Sequence, residues 1–130
     1  MDRQTYASGT EWERAVGYAR AVRTDETVHV SGTTATDDEG RVVGRGDPYR
    51  QTGRAIENVE RALVALDATL ADVVRTRLFV TDIDDWPAVG RAHAEAFADA
   101  SPASTMVQVE RLVDPAMLVE IEAVARVGDP

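Results

Sequence analysis

The sequence contains no cysteine and no lysine, and it is poor in aromatic residues. None of its 130 residues is Cys, and all 14 basic residues are Arg. The absence of cysteine excludes disulfides and thiolate chemistry and fits a reducing compartment, so we expect a cytoplasmic protein. Two explanations for the missing lysine stay open: a genome of high GC content, or a salt-loving host with acidic protein surfaces.

Long apolar runs and net positive charge are also missing. No apolar run approaches the roughly 18 residues of a membrane span, and the N-terminus lacks the basic and apolar pattern of a secretory signal. The net charge of −9 argues against a nonspecific nucleic-acid binder, which needs cations to displace counterions. We therefore expect neither a membrane nor a nucleic acid as a partner.

Histidine is scarce as well, and its positions give no metal motif. His29 and His93 are the only two histidines, so we expect neither a metal nor a cofactor. His29 shares a strand face with Ser31, but residues two apart on a strand are roughly 6–7 Å apart at the backbone, which is loose for a nucleophile pair. His93 lies at the apolar edge of a predicted helix, where a structural role is the simpler interpretation.

The length and the hydrophobic pattern predict one domain, 1–130, of the α+β class. We expect a loosely ordered lead-in over 1–15, then the order β-β-β-α-β-α-β-β with two helices on one mixed sheet. The predicted elements are strands 16–22, 27–32 and 41–43, a helix from Asp47-Pro48 to near Asp67, a strand 72–81, a helix with Trp86-Pro87 in its first turn, and two final strands. The sheet face without helices mixes apolar with charged residues, so we expect a partner copy to cover it.

The stretch 102–125 has the clearest alternation. It predicts two strands joined by a short turn at Asp114-Pro115. In the second strand Val119 and Ile121 share one face, and Glu120 lies on the other among apolar neighbours. A carboxylate in such a strand is costly unless it is exposed, paired or used. From the residues alone, an exposed or Arg-paired carboxylate is the simpler interpretation.

Several of these segments together resemble the RidA family, also called the YjgF family. The match runs from about residue 17 to residue 125 and is most specific in 102–125, where Pro-Ala-x-Thr, a V-x-V strand, Arg-Leu and Val-Glu-Ile-Glu-Ala-x-Ala follow one another. Segments 17–22, 30–32 and 72–82 match as well, together with Gln51 and Asn58. The resemblance implies a chorismate-mutase-like fold, a homotrimer, and a small-molecule cleft at each subunit interface.

The resemblance also implies an activity and roles for individual residues. The best-known activity of the family is hydrolysis of reactive enamines and imines to 2-keto acids and ammonia. Glu120 would position the attacking water, and Tyr18 and Ser31 would line the cleft. Met106 occupies a position at which the family commonly has cysteine.

One departure from the family bears on the substrate. The arginine that binds a substrate carboxylate is replaced by Ser104, and losing such a charge-assisted clamp should cost roughly 2–5 kcal/mol of binding. Arg20 is a candidate for the missing cation, although a surface or Glu-paired arginine is the simpler interpretation. The sequence thus predicts hydrolysis of an imine, enamine or related metabolite with a non-standard substrate. The alternatives are a ligand-binding or regulatory trimer without turnover and, more weakly, an endoribonuclease.

Overall fold

A computed structural model describes residues 2–128 as one mixed six-stranded sheet with helices packed against it. The strands are β1 Arg3–Tyr6, β2 Ala21–Thr24, β3 Thr27–Thr33, β4 Val73–Val80, β5 Ala103–Gln108 and β6 Val119–Arg126. The helices are α1 Glu11–Val16, α2 Pro48–Ala65 and α3 Trp86–Phe97, with single 3₁₀ turns at Leu70–Asp72 and Ile83–Asp85. The predicted α+β class is confirmed.

The strand order across the sheet is β1-β2-β3-β6-β4-β5. All neighbouring strands are antiparallel except β4 and β5, which are parallel. The prediction that the last two strands are joined by a short turn is wrong, because β4 lies between β5 and β6. The connection 109–118 instead passes the C-terminal end of β4, where Val109 N–H donates to Val80 O and Thr81 N–H donates to Leu118 O.

The N-terminal segment also differs from the prediction. The expected lead-in 1–15 contains β1, which pairs with β2, and α1. The N-cap of α1 is Thr10, whose side chain accepts a hydrogen bond from the backbone of Glu13, and the Glu13 side chain bonds back in a capping box. The helix ends at Val16 because Gly17 adopts a left-handed conformation (φ 88°, ψ 42°). The strand predicted over 16–22 therefore begins only at Ala21.

Two smaller corrections concern the predicted strands. The segment 41–43 is not a strand, because its only pairing among the described residues is a single bridge between Thr36 and Val42. In β4 the alternation holds for Thr76, Leu78 and Val80, which are buried, but a register shift at the start of the strand buries Val73 instead of Val74. An irregular pairing of this kind reverses the face on which a side chain lies.

The core lies between the sheet and the two longer helices. Helix α2 begins where the sequence predicted, with Asp47 accepting a hydrogen bond from Arg50 N–H and Pro48 in the first turn. Its apolar face packs on the sheet, and the fully buried residues of this layer include Val28, Val59, Leu63, Leu78 and Ile121. The sheet face opposite α2 and α3 presents the side chains of Glu120 and its neighbours.

Candidate functional site

Glu120 is the second residue of β6, on the sheet face without helices. It pairs with Phe79 of β4, while its neighbours Val119 and Ile121 are fully buried on the helix side. A Cβ added to Gly32 would lie 2.8 Å from both Cδ and Oε2 of Glu120. The carboxylate therefore packs directly on the backbone of β3, and this approach requires glycine at position 32.

The surroundings of Glu120 favour its protonated form. Burial raises the pKa of its carboxyl above the ordinary 4.5, the charge of Arg20 opposes this rise, and the charge of Glu122 adds to it. Within residues 2–128 no side chain or backbone N–H donates a hydrogen bond to the Glu120 carboxylate. Its oxygens are therefore available to a ligand or water molecule, as a general base requires.

Arg20 is buried beside this carboxylate and has four hydrogen-bond partners. Its Nη1 donates to Gly32 O at 2.5 Å and to Thr33 Oγ1 at 3.2 Å. Its Nη2 donates to Tyr18 Oη at 3.2 Å and pairs with Glu13 Oε2 at 3.5 Å. Arg20 is thus paired with a glutamate, the simpler of the two interpretations, and it holds the Gly32 backbone on which Glu120 packs.

Glu13, which the sequence analysis did not single out, completes this buried pair. Its carboxylate accepts hydrogen bonds from Ser8 N–H at 2.9 Å, from the Ser8 hydroxyl and from Thr10 Oγ1 at 2.7 Å. Burial opposes ionisation, but the hydrogen bonds from Ser8 and Thr10 and the charge of Arg20 outweigh it and lower the pKa of Glu13. The pattern Thr10-x-x-Glu13, readable as a capping box, was the signal for this residue.

Ser31 lies next to this cluster but forms no pair with His29. The Ser31 hydroxyl donates to Ala19 O at 2.7 Å, and Ser31 N–H donates to Arg20 O at 2.9 Å. His29 is exposed. Because the Ser31 hydroxyl donates to a carbonyl, it does not form the nucleophile pair with His29 that the sequence spacing had already disfavoured.

The two neighbours of Gly32 in the sequence line two different cavities. One, of about 620 Å³, lies between α1 and the loop after β3, and its walls include Trp12, Arg20, Thr33, Thr34 and Met117. The other, of about 240 Å³, lies on the open sheet face, and its walls include His29, Ser31, Arg75, Arg77 and Glu122. Thr33 lines the first cavity and Ser31 the second, and Gly32 lies between them in the sequence. Glu120 packs on Gly32 but lines neither cavity.

Ser104 and Met106 lie elsewhere, on the edge strand β5. Ser104 is exposed and pairs with Thr76 of β4, and Met106 packs partly against the core. Paired residues share a sheet face, and Thr76 is buried on the helix side, whereas Glu120 pairs with Phe79 on the other side. The predicted site residues thus form two groups on opposite faces of the sheet. Ser104 and Met106 lie on one face, and Glu120 and Ser31 lie on the other, together with Arg20 and its partner Tyr18.

Two amide side chains of helix α2 bind the loops next to the Glu120 carboxylate: the loop that precedes β6 and the loop that follows β3. Gln51 is fully buried; its Nε2 donates to Ala116 O and its Oε1 accepts from Leu118 N–H, both at 2.8 Å. Asn58 Nδ2 donates to the carbonyls of residues 34 and 36, both at 3.0 Å. These amides fix Leu118, the residue just before β6, and the chain that follows Gly32.

Neither a metal-binding cluster nor a membrane-spanning helix is found among residues 2–128. No group of three or more His, Asp or Glu side chains is arranged to hold a metal ion in this part of the chain. None of its helices is both long and apolar enough to cross a membrane.

The fold and the site define a class: a two-layer α+β protein with a partly buried strand carboxylate and a cavity of about 620 Å³, the size of a small-molecule pocket, on the same chain. The chain belongs to the YjgF/RidA family, whose model, described as endoribonuclease L-PSP, matches residues 9–127. The resemblance recognised in the sequence is therefore confirmed.

Relatives cover most of the chain. The 3-aminoacrylate deaminase RutC of Acinetobacter baylyi is 37% identical over 110 residues, 85% of this chain and 86% of that protein. A crystal structure of a YjgF/YER057c/UK114 family member from Mycobacterium tuberculosis is 48% identical with a TM-score of 0.88, covering 97% of this chain and 100% of that one. Escherichia coli TdcF, solved with bound serine, is 26% identical with a TM-score of 0.78, covering 85% and 88%.

Proposed function

We propose that this protein hydrolyses the C=N bond of an imine, or of the imine tautomer of an enamine, in a cleft between two copies of the chain. The observation that carries the proposal is the Glu120 carboxylate, which packs on Gly32 without a hydrogen-bond donor among residues 2–128 and has a raised pKa. Membership of a family with a deaminase at 37% identity supports the reaction class.

The reaction needs one base and a proton for the leaving amine. Glu120 accepts a proton from water as the water oxygen attacks the imine carbon, and it passes this proton to the imine nitrogen, which gives a carbinolamine. A second proton then moves from the carbinolamine hydroxyl to the nitrogen, again by way of Glu120, and the C–N bond breaks as the C=O bond forms, so that imine and water yield a carbonyl compound and ammonia. A carboxylate whose pKa is raised by burial suits both steps, because it exchanges protons closer to neutral pH than an exposed one does.

Two copies are proposed because one chain separates its site residues. Ser104 lies on the edge strand β5 and Glu120 on the opposite sheet face. A symmetric assembly that places the β5 edge of one copy against the open face of the next joins the two groups, and it covers the free edge of the sheet. The family resemblance implies a trimer, and a trimer can have this arrangement.

A ligand-binding or regulatory role without turnover is the second candidate. It is favoured by Ser104, which gives the cleft no cation to hold a substrate carboxylate. The endoribonuclease named in the family description is the weaker alternative, because a chain with net charge −9 gains little from counterion release on RNA.

The test is ammonia release from imines formed in situ. One set is made from amino acids by an amino-acid oxidase and a second from neutral primary amines by an amine oxidase. We expect wild type to accelerate hydrolysis in at least one set, and Glu120→Gln to lower the rate constant on the order of 10²- to 10⁴-fold. Equal rates for wild type and Glu120→Gln, or no acceleration in either set, would refute the proposal.

A further inference from the structure

A chain of hydrogen bonds leads from the interior of the protein to Ser104. Thr76 Oγ1 lies 2.8 Å from Ser104 Oγ and 2.8 Å from Nε2 of His93. Thr76 is fully buried, His93 is half-buried on α3 with its ring 4.6 Å from that of Phe97, and Ser104 is exposed. The three residues therefore connect α3, β4 and the outer strand β5, ending at the surface.

The number of protons along these hydrogen bonds determines whether the Ser104 hydroxyl donates a hydrogen bond to the ligand or accepts one from it. A threonine hydroxyl has a single proton, so when Thr76 donates to Ser104 the imidazole of His93 must donate to Thr76 from Nε2. The Ser104 proton is then free to point away from the protein. If the imidazole is protonated on Nδ1 instead, all the bonds reverse, and Ser104 donates to Thr76 and accepts a hydrogen bond from the ligand. The hydroxyl thus fits either an acceptor or a donor.

Within residues 2–128, the side chain that binds the Ser104 hydroxyl is the neutral Thr76. Burial lowers the pKa of His93, which keeps its ring neutral at physiological pH. Arg75, which lies beside β5, donates to Thr105 Oγ1 at 3.1 Å, and Arg75 and Thr105 belong to the sheet face opposite Ser104. An oriented neutral hydroxyl without a cation suits a neutral polar group better than a carboxylate, whose desolvation it cannot offset.

We infer that Thr76 and His93 are positioning residues that orient the Ser104 hydroxyl toward a neutral amide, carbonyl or hydroxyl group of the ligand. Resting on the proposed function, this assigns the substrate class: an imine or enamine without a carboxylate at the Ser104 end. Specificity then depends on a side chain of α3 that does not itself touch the ligand.

The test compares two probes of the same size that differ in charge, 2-oxobutanamide and 2-oxobutanoate. Each is titrated into the full-length protein, with binding followed by NMR at the signals of Ser104 and His93. We expect the amide to bind at least about threefold more tightly, as one additional neutral hydrogen bond allows. We expect Ser104→Arg to reverse the order, because its guanidinium binds the carboxylate.

Variants of the two buried residues separate orientation from packing. Thr76→Val and His93→Phe should weaken binding of the amide about three- to tenfold, whereas His93→Gln, which keeps an N–H donor, should bind it like wild type. The matched control is Thr52→Val, because Thr52 is also fully buried with one hydrogen bond, to Pro48 O at 2.7 Å. It should leave binding unchanged.

Three results would overturn the inference: binding of 2-oxobutanoate as tight as that of the amide, no change of the Ser104 and His93 signals with either probe, or equal losses in His93→Gln and His93→Phe. Neither probe contains a C=N bond, so the measurement does not depend on turnover. Absence of imine hydrolysis together with selective amide binding would refute the proposed reaction and leave this inference standing.

Discussion

Gly32→Ala tests the placement of the Glu120 carboxylate with a single methyl group. The added Cβ would lie 2.8 Å from Cδ and Oε2 of Glu120, about 0.6 Å short of the 3.4 Å at which ordinary contact begins. Gly32 does not have a left-handed backbone, so alanine fits its conformation, and the atoms it meets are the far end of a flexible side chain. The carboxylate must therefore move by about 0.6 Å or more while the fold stays intact.

The expected effect is large on catalysis and small on stability. A misplacement of about 1 Å costs on the order of 100-fold in rate, so we expect kcat for imine hydrolysis to fall roughly 10- to 100-fold. We expect the free energy of unfolding to change by less than about 1 kcal/mol, since the loss of glycine also restricts the unfolded chain. Hydrolysis is measured as ammonia release and stability by thermal unfolding of the same preparations.

Gly53→Ala is the matched control, because Gly53 lies within α2 and an added Cβ meets no atom within 4 Å. It should raise stability by up to about 1 kcal/mol and leave hydrolysis unchanged. Wild-type activity in Gly32→Ala would show that the position of the Glu120 carboxylate against β3 is irrelevant to the reaction.

Three further substitutions test the surroundings of the site. Glu13→Gln leaves the buried Arg20 without its counter-charge and should lower the free energy of unfolding by roughly 3–5 kcal/mol in chemical denaturation; a loss below about 1 kcal/mol would show that the pair is not buried in solution. Gln51→Leu leaves a buried carbonyl and N–H unpaired, so we expect about 2–4 kcal/mol of destabilisation, and no loss would contradict the clamp on the loop before β6. The pKa of Glu120 is higher in the folded protein than in the unfolded chain, so ionisation of this carboxyl is less favourable in the folded state. The free energy of unfolding therefore falls as the pH rises from 4.5 through the pKa of the folded state. Glu120→Gln should therefore melt above wild type at about pH 7.5 and level with it at about pH 4, and the opposite pH dependence would contradict a raised pKa.

The sequence specified local structure more reliably than strand partners. The alternation of Val28 with Val30 and of Val119 with Ile121 placed the correct side chains in the core, because a strand with one buried face has a period of two. Asp47-Pro48 located the start of α2 through helix capping. The same alternation carries no information about which strands pair, and β4 therefore lies unpredicted between β5 and β6.

The residues of the candidate site were likewise predictable where a local pattern marks them, and not where they are brought together only by the fold. Glu120 was identifiable as a charge out of place on a strand, and the family resemblance named Tyr18 and Ser31. The capping-box pattern that contains Glu13 is present in the sequence, but Glu13 was not predicted as a site residue. The hydrogen bonds of Thr76 with His93 and Ser104 join residues 17 and 28 positions apart, so only the assembled sheet and α3 bring them together.

The most direct test of a hydrolytic site shared between copies is complementation in mixed oligomers. Glu120→Gln and Ser104→Trp, each expected to be inactive alone, are unfolded together, refolded and assayed for ammonia release. If each site takes Glu120 from one copy and Ser104 from the next, random mixing at equal amounts restores about one quarter of the wild-type activity. If both residues act within one chain, the mixture stays as inactive as its components, and that result would contradict a site shared between copies.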